Sequence, residues 1–345
     1  MMAILFMEGW EDYSDIDDYM DKSYYNIWRT DLASGSLDVG RSGSGQSLRL
    51  NTSADDMYIR VPTSSNVVWG GFAFKTDAVS GSKSILRFHP DDNIASYHIE
   101  LGNQVTGLFT FYRGGTLLGT STTPISGNTW YYLEYKITID DTAGSVDLWV
   151  DGVNEISVSG VDTKDGNANV SWIELHGNSN DIWYDDFVFG DDTGSDATDN
   201  IGVAYIEKLS VNGAGSSTQF TPEGAASPTG DNYQNVDDSS PDDNTTYNYS
   251  NTVGHKDFFT VSNLTTSGIN IHAVGVNSRL KRSGSTRRTI RTKVLSNATE
   301  GNGTTNDCPT KYLHNWDIFE NDPDTGSAWT ESAVDAMEIG YEVVS

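Results

Sequence analysis

The chain has 345 residues, 36% of them hydrophobic, and carries 21 Lys and Arg against 49 Asp and Glu for a net charge of −28. A surface this acidic repels nucleic acid and anionic membranes, and 11% aromatic content is too much burial-prone area for a solvated tail. The length suffices for two ordinary cores, the single Cys308 excludes an intrachain disulfide, and no run approaches the eighteen apolar residues of a membrane span.

In chain order, Met1–Met7 is apolar without a basic flank and is expected to be a first strand rather than a signal sequence, so export is not expected. Period-two alternation then dominates through 47–51, 57–62, 68–76, 84–89, 96–101 and 107–113. It continues through 130–140, 145–152, 154–160, 171–177 and 182–190. Gly114-Gly115, Ser126-Gly127-Asn128, Asp151-Gly152 and Asp165-Gly166-Asn167 supply the turns. The expected fold class is all-β, a sandwich or barrel of short strands. Residues 192–200 hold no large apolar side chain and read as a linker. A second β domain is expected over 201–345. Its stretch 213–251, rich in Pro, Gly, Asp and Asn, reads as a long polar insertion, and a short helix capped by Thr330 is expected over 331–337.

Two patterns carry a resemblance. Trp130-Tyr131-Tyr132-Leu133-Glu134-Tyr135, Ile137 and Ile139, a turn at 140–144, and Val146-Asp147-Leu148-Trp149-Val150-Asp151-Gly152 together resemble the hairpin of the concanavalin A-like lectin/glucanase superfamily. The likeness is to its laminin-G type jelly roll and covers residues 1–191. It implies a jelly-roll sandwich and leaves function open, because that superfamily holds lectins, hydrolases and structural modules. Further on, Tyr184–Asp191, His255–Val261 and above all Asn321-Asp322-Pro323-Asp324-Thr325-Gly326 leading to Ala328-Trp329-Thr330 resemble a family of bacteriophage virion proteins, tail or minor structural components. In that family a lectin-like jelly roll precedes a C-terminal β domain. The resemblance implies a place in the virion, a product of the host cytoplasm, and assembly as a homo-oligomer, with trimers common. Tail fibre or tail-associated adhesin, capsid decoration or head fibre, and a carbohydrate-binding module or weak glycan hydrolase are the alternatives it leaves open. Other virion proteins and a host-surface glycan are the expected partners.

The candidate sites are few. Lectin-like glucanases place their carboxylates as E-x-D-x-x-E on one strand face, and no such triplet is present here. Glu174 and His176 share one face of a strand, as a candidate acid and its orienter or as a satisfied pair. The six histidines show no metal-ligand spacing, and there is no P-loop, G-x-S-x-G or C-x-x-C motif. No catalytic residue and no cofactor are therefore assigned, and no enzymatic activity is expected. By resemblance, a structural Ca²⁺ where the first strands meet the last would be held by Glu8 and Asp186. Trp69, Tyr97, Tyr112 and Trp172 are either core or a sugar-stacking platform. The run 279–293 holds seven cations and no acid, leaving the rest of the chain at −35. It reads as a hairpin tipped by Ser283-Gly284-Ser285, either with Arg287, Arg288 and Arg291 docking a neighbouring subunit or another virion protein, or solvated and neutralised by its own domain's acids; its lack of interleaved aromatics argues against nucleic acid.

Overall fold

The computed structural model describes residues 3–13, 16, 27–30, 34–43, 45–62, 65–90, 95–193, 200–224 and 230–345. The chain divides into two compact units, the first built mainly of residues 26–206 with the N-terminal strand, the second mainly of residues 207–345. The inferred linker 192–200 lies outside the described residues at 194–199.

The first unit is a sandwich of two antiparallel sheets, as its alternating sequence requires. In the first sheet the order is β13 (Val153–Val161), β12 (Gly144–Val150), β11 (Tyr131–Thr138), β6 (Val67–Thr76), β15 (Ile182–Asp191), β4 (Gln46–Leu50) and β3 (Ser36–Val39), with β1 (Ala3–Glu8) also on β15. In the second it is β10 (Thr116–Thr120), β9 (Phe109–Arg113), β8 (Ile99–Asn103), β7 (Lys83–Pro90), β14 (Val170–His176), β5 (Asp56–Arg60) and β2 (Ile27–Thr30). The hairpin read at 130–152 forms with Leu133 opposite Val150 and Ile137 opposite Val146. Its continuation turns at Asp151-Gly152, both residues at positive φ, which a two-residue hairpin loop demands.

The inward faces meet as close-packed aromatics. Phe74 of the first sheet stands edge-on to Phe109 of the second at 5.8 Å, and Tyr135 of the first to Phe88 of the second at 5.0 Å. Leu48, Leu133, Leu148, Met57, Ile59, Leu101, Phe111, Ile173 and Leu175 fill the remainder with no exposure. Gly70 and Gly71 of β6 make room for two tyrosines: a Cβ on Gly70 would lie 2.5 Å from the Tyr135 hydroxyl, and one on Gly71 2.5 Å from that of Tyr132.

The second unit centres on a six-stranded sheet, β16 (Val211–Thr218), β19 (Lys256–Val261), β25 (Glu338–Val343), β21 (Thr289–Ser296) and β22 (Thr299–Asn302), with β23 (Asn306–Asp307) also on β21. Two smaller ladders pair β17 (Thr221–Glu223) with β18 (Tyr247–Tyr249), and β20 (Val274–Leu280) with β24 (Leu313–Phe319). Val261, Val274, Val276, Val294, Trp329, Val334 and Met337 form its core. Helix α1 (Glu331–Ala336) begins where expected, with the Thr330 hydroxyl accepting the Ala333 N–H.

Through the described part of the polar stretch 213–251 run β16, β17, a 3-10 turn at Asn232–Asn235 and β18, while 225–229 lie outside the described residues. One reading of this half changes. The basic run is not a hairpin. β20 pairs with β24 while β21 pairs with β25, so residues 281–288 connect two different sheets. Each strand follows its valines, Val274 and Val276 or Val294, into the core rather than pairing with its neighbour in sequence.

Candidate functional site

The outer face of the second sheet carries a cluster of charged and aromatic side chains. On β14, Ile173 and Leu175 point into the sandwich and Trp172, Glu174 and His176 point away from it, as strand alternation dictates. The ladder aligns Glu174 with Tyr58 on one side and Arg87 on the other; Arg87 in turn faces Glu100, and Glu100 faces Tyr112. One row across five strands therefore reads Tyr58, Glu174, Arg87, Glu100, Tyr112, at the roughly 4.8 Å spacing of neighbouring strands. Arg60, Trp172 and His89 form the next row on one side, His176 and Asp56 that on the other.

Hydrogen bonds lock this row. Arg87 Nε donates to Glu100 Oε2 at 2.9 Å and Arg87 Nη1 to Glu174 Oε1 at 3.2 Å. His89 Nε2 lies 2.7 Å from Glu174 Oε2 and its Nδ1 lies 2.8 Å from the Ser96 carbonyl. His176 Nδ1 stands between two carboxylates, 2.7 Å from Glu174 Oε1 and 2.6 Å from Asp56 Oδ1. Burial opposes a charge on either partner, yet the hydrogen bonds win. The two histidines and Arg87 hold Glu174 down at about 2, while Asp56 and Glu174 hold His176 up at about 9. Tyr97 covers the row, with the Arg87 guanidinium 5.0 Å from its ring; burial and the Glu100 carboxylate push its hydroxyl up.

Asp56, Glu174 and His176 present ligand atoms within 4.8 Å of one another. Arg87 Nη1, 3.4 Å from His176 Nδ1, places a fixed positive charge among the same oxygens and competes with any cation for them. The group is an ion-pair network with its deepest carboxylate, Glu174, only 1% exposed; Glu100, His176 and Arg87 stay partly open at its rim.

Of the residues singled out from sequence, Glu174 and His176 share this face, joined by Trp172, Tyr97 and Tyr112. Trp69 does not: it lies on β6 of the other sheet, buried, its indole N–H donating to the Asp191 carbonyl. Sequence reasoning missed Asp56, Arg87, His89 and Glu100. Their alternation with core residues in 56–60, 84–89 and 97–101 was the available signal.

Glu8 and Asp186 flank the place where β15 changes partner, from β4 at Ile182–Tyr184 to β1 at Phe187–Asp191. The chain bulges there, Asp186 takes a φ of +50°, and Asp185 and Asp186 are both buried rather than alternating. Arg41 occupies the gap. Its guanidinium lies 2.9 Å from Asp186 Oδ2 and its backbone N–H donates to Asp185 Oδ2 at 2.7 Å. Glu8 accepts the Trp10 N–H at 2.8 Å. A guanidinium stands where Ca²⁺ was expected, and among the described residues Glu8 and Asp186 belong to no group of three ligating side chains. These residues do not fit a calcium ion.

The three arginines singled out from the basic run belong to the second unit. Arg287 pairs with Asp307 at 2.6 Å and Arg291 with Glu342 at 2.8 Å, both within the second unit, while Arg288 reaches the Arg287 carbonyl at 3.5 Å. Lys293, 2% exposed, bonds Glu300 and Glu342. Cys308 is half-buried, and burial raises its thiol.

No family model matches the chain, and no curated protein matches it. Among solved structures, an endo-β-1,4-glucuronan lyase from the fungus Trichoderma reesei is 14% identical, over 55% of this chain and 96% of that one, with a TM-score of 0.39. The catalytic domain of a glycoside hydrolase family 131 protein from Coprinopsis cinerea is 14% identical over 58% and 98%, at 0.40. A carbohydrate binding module, CBM66 from Bacillus subtilis, is 13% identical over 48% and 94%, at 0.33. Likenesses this shallow say nothing of what the chain binds or does; its all-β, jelly-roll-like architecture rests on the sheets themselves.

Proposed function

We propose that the chain is a non-enzymatic bacteriophage virion structural protein, a tail fibre or tail-associated adhesin, that binds glycan on the outer face of the second sheet. The observation that carries the glycan part is the row Tyr58, Glu174, Arg87, Glu100, Tyr112, in which flat aromatic rings bracket fixed hydrogen-bonding groups. The virion part rests on the resemblance of residues 184–191, 255–261 and 321–330 to phage structural proteins. Capsid decoration remains the alternative placement.

Catalysis is not part of the proposal. An acid or base of use near neutrality needs a pKa near the working pH. Glu174 at about 2 and His176 at about 9 lie far on either side, each stabilised by the other. Incubating the full chain with host-surface polysaccharide, and following reducing ends and unsaturated sugar products, should give binding without turnover. Turnover that persists through further purification and disappears in Glu174→Gln would overturn the non-enzymatic reading.

A further inference from the structure

We infer that the glycan taken by this face is a neutral saccharide, not a uronate or sialylated one. The inference rests on the glycan reading above and narrows it. Recognition of a sugar carboxylate calls for an uncommitted guanidinium or ammonium, best placed for a bidentate contact. The row offers none. Arg87 sits between two carboxylates and already donates to both, Glu174 and Glu100. His176 lies between Asp56 and Glu174, and His89 is 1% exposed against Glu174. Lys83 of β7 is buried and donates to the Ala78 carbonyl, and Arg113 of β9 is committed to the Lys164 carbonyl and Asp162, which leaves Arg60, one row over. It is exposed, its guanidinium 5.9 Å over the Trp172 ring, where solvent screening leaves a charge little to add to an ion pair.

What the row does present is an alternation across neighbouring strands: carboxylate, guanidinium, carboxylate, with tyrosines at both ends. Sugar hydroxyls donate and accept at once, so neighbouring hydroxyls match acceptors at Glu100 and Asp56 and the unused N–H groups of Arg87. The field points the same way. Residues 1–206 hold 31 Asp and Glu against 11 Lys and Arg, which repels a polyanionic chain before contact.

The test is calorimetric titration of the full chain with neutral gluco-, galacto- and manno-oligosaccharides, and in parallel with oligoalginate, oligoglucuronate and sialyllactose. The expected result is binding within the neutral set only, unchanged between about 0.05 M and 0.5 M NaCl because no net charge is neutralised. Glu100→Gln and Asp56→Asn, each shown to remain folded at the titration temperature, should each weaken it by about tenfold, the loss of one charge-assisted hydrogen bond. Binding confined to the uronates or sialyllactose would overturn the inference and leave the glycan reading standing. Neutral-sugar binding indifferent to both substitutions would overturn the assignment of this row. Failure of every saccharide of either charge would overturn the glycan reading and the inference with it.

Discussion

At the scale of single residues, the first unit is organised around buried charges whose protonation states differ from those in the unfolded chain. Glu174, held at about 2, contributes stability that is present above its unfolded value near 4.5 and is lost as pH falls from there towards 2. His176, held at about 9, contributes stability that is complete below its unfolded value near 6.5 and is lost as pH rises through 9. These are two sides of one interaction, on the order of 3 kcal/mol at either end by the size of the shifts. Glu134 runs the opposite way from Glu174. Burial pushes it up to about 7 despite two backbone N–H donors, and Asp185, buried beside Asp186, is likewise raised to about 7. A raised carboxyl costs stability progressively as pH climbs from about 4 through 7. The first unit should therefore be most stable near pH 5 and weaken towards pH 9. Chemical denaturation across that range checks it, with Glu134→Gln flattening the slope between pH 4.5 and 7 and His176→Gln flattening it above 7. A stability maximum above pH 8 would contradict these assignments. The pairing of Glu174 with His176 was legible because residues two apart share a strand face. Their partners were not, because Asp56, Arg87 and Glu100 arrive on strands whose neighbours are set by packing far away in sequence.

At the scale of elements, alternation made strands legible and pairing illegible. The first unit's strands stand where β-branched and aromatic residues alternate between Gly, Asn and Asp turns. β16 was invisible because none of its side chains is fully buried; its place at a sheet edge is fixed by backbone bonds to β19 that leave no mark on composition. The split of β20 from β21 failed for a related reason: a basic, Ser- and Gly-tipped sequence suits a hairpin locally, and only the core shows that each strand has a better partner. The same view explains the bulge at Asp185-Asp186. β15 has to hand over from β4 to β1, and Arg41 neutralises the two carboxylates exposed to the interior by that change. Arg41 also stacks 3.9 Å from the Tyr205 ring, while Asp186 and Glu134 accept the backbone N–H groups of Ile206 and Gly202, so residues 201–206 are fastened to the first sheet. Arg41→Ala strands a buried carboxylate pair and should cost about 3–5 kcal/mol of first-unit stability. A chelator should leave the melting temperature of the wild type unchanged; a drop on chelation, reversed by Ca²⁺, would mean that the ion and not Arg41 closes the gap.

At the scale of the whole molecule, charge is distributed so that the basic run serves its own unit first. Arg287, Arg291, Arg279 and Lys293 meet Asp307, Glu342, Asp243 and Glu300, the neutralisation by its own domain's acids that the sequence left open beside docking. The exposed Arg287 pair contributes little. Of Arg287, Arg288 and Arg291, the three expected to dock a neighbour if the chain oligomerises through this run, Arg288 is the one with no acidic partner among the described residues. Replacing Arg288 by Ser should then weaken self-association at low salt in light scattering, while Arg287→Ser should not; equal effects would assign the contact elsewhere. Under the proposed reading as an adhesin, recognition belongs to the functionalised outer face of the first unit. The recognition claim is the central one. Hydrogen exchange of the full chain, measured with and without a saturating neutral oligosaccharide that binds in the titration above, tests it most directly. Added protection should concentrate in the peptides of β5, β14, β7 and β8 that carry Asp56, Trp172, Glu174, Arg87 and Glu100. Protection confined to the first sheet or to residues 207–345 would contradict it.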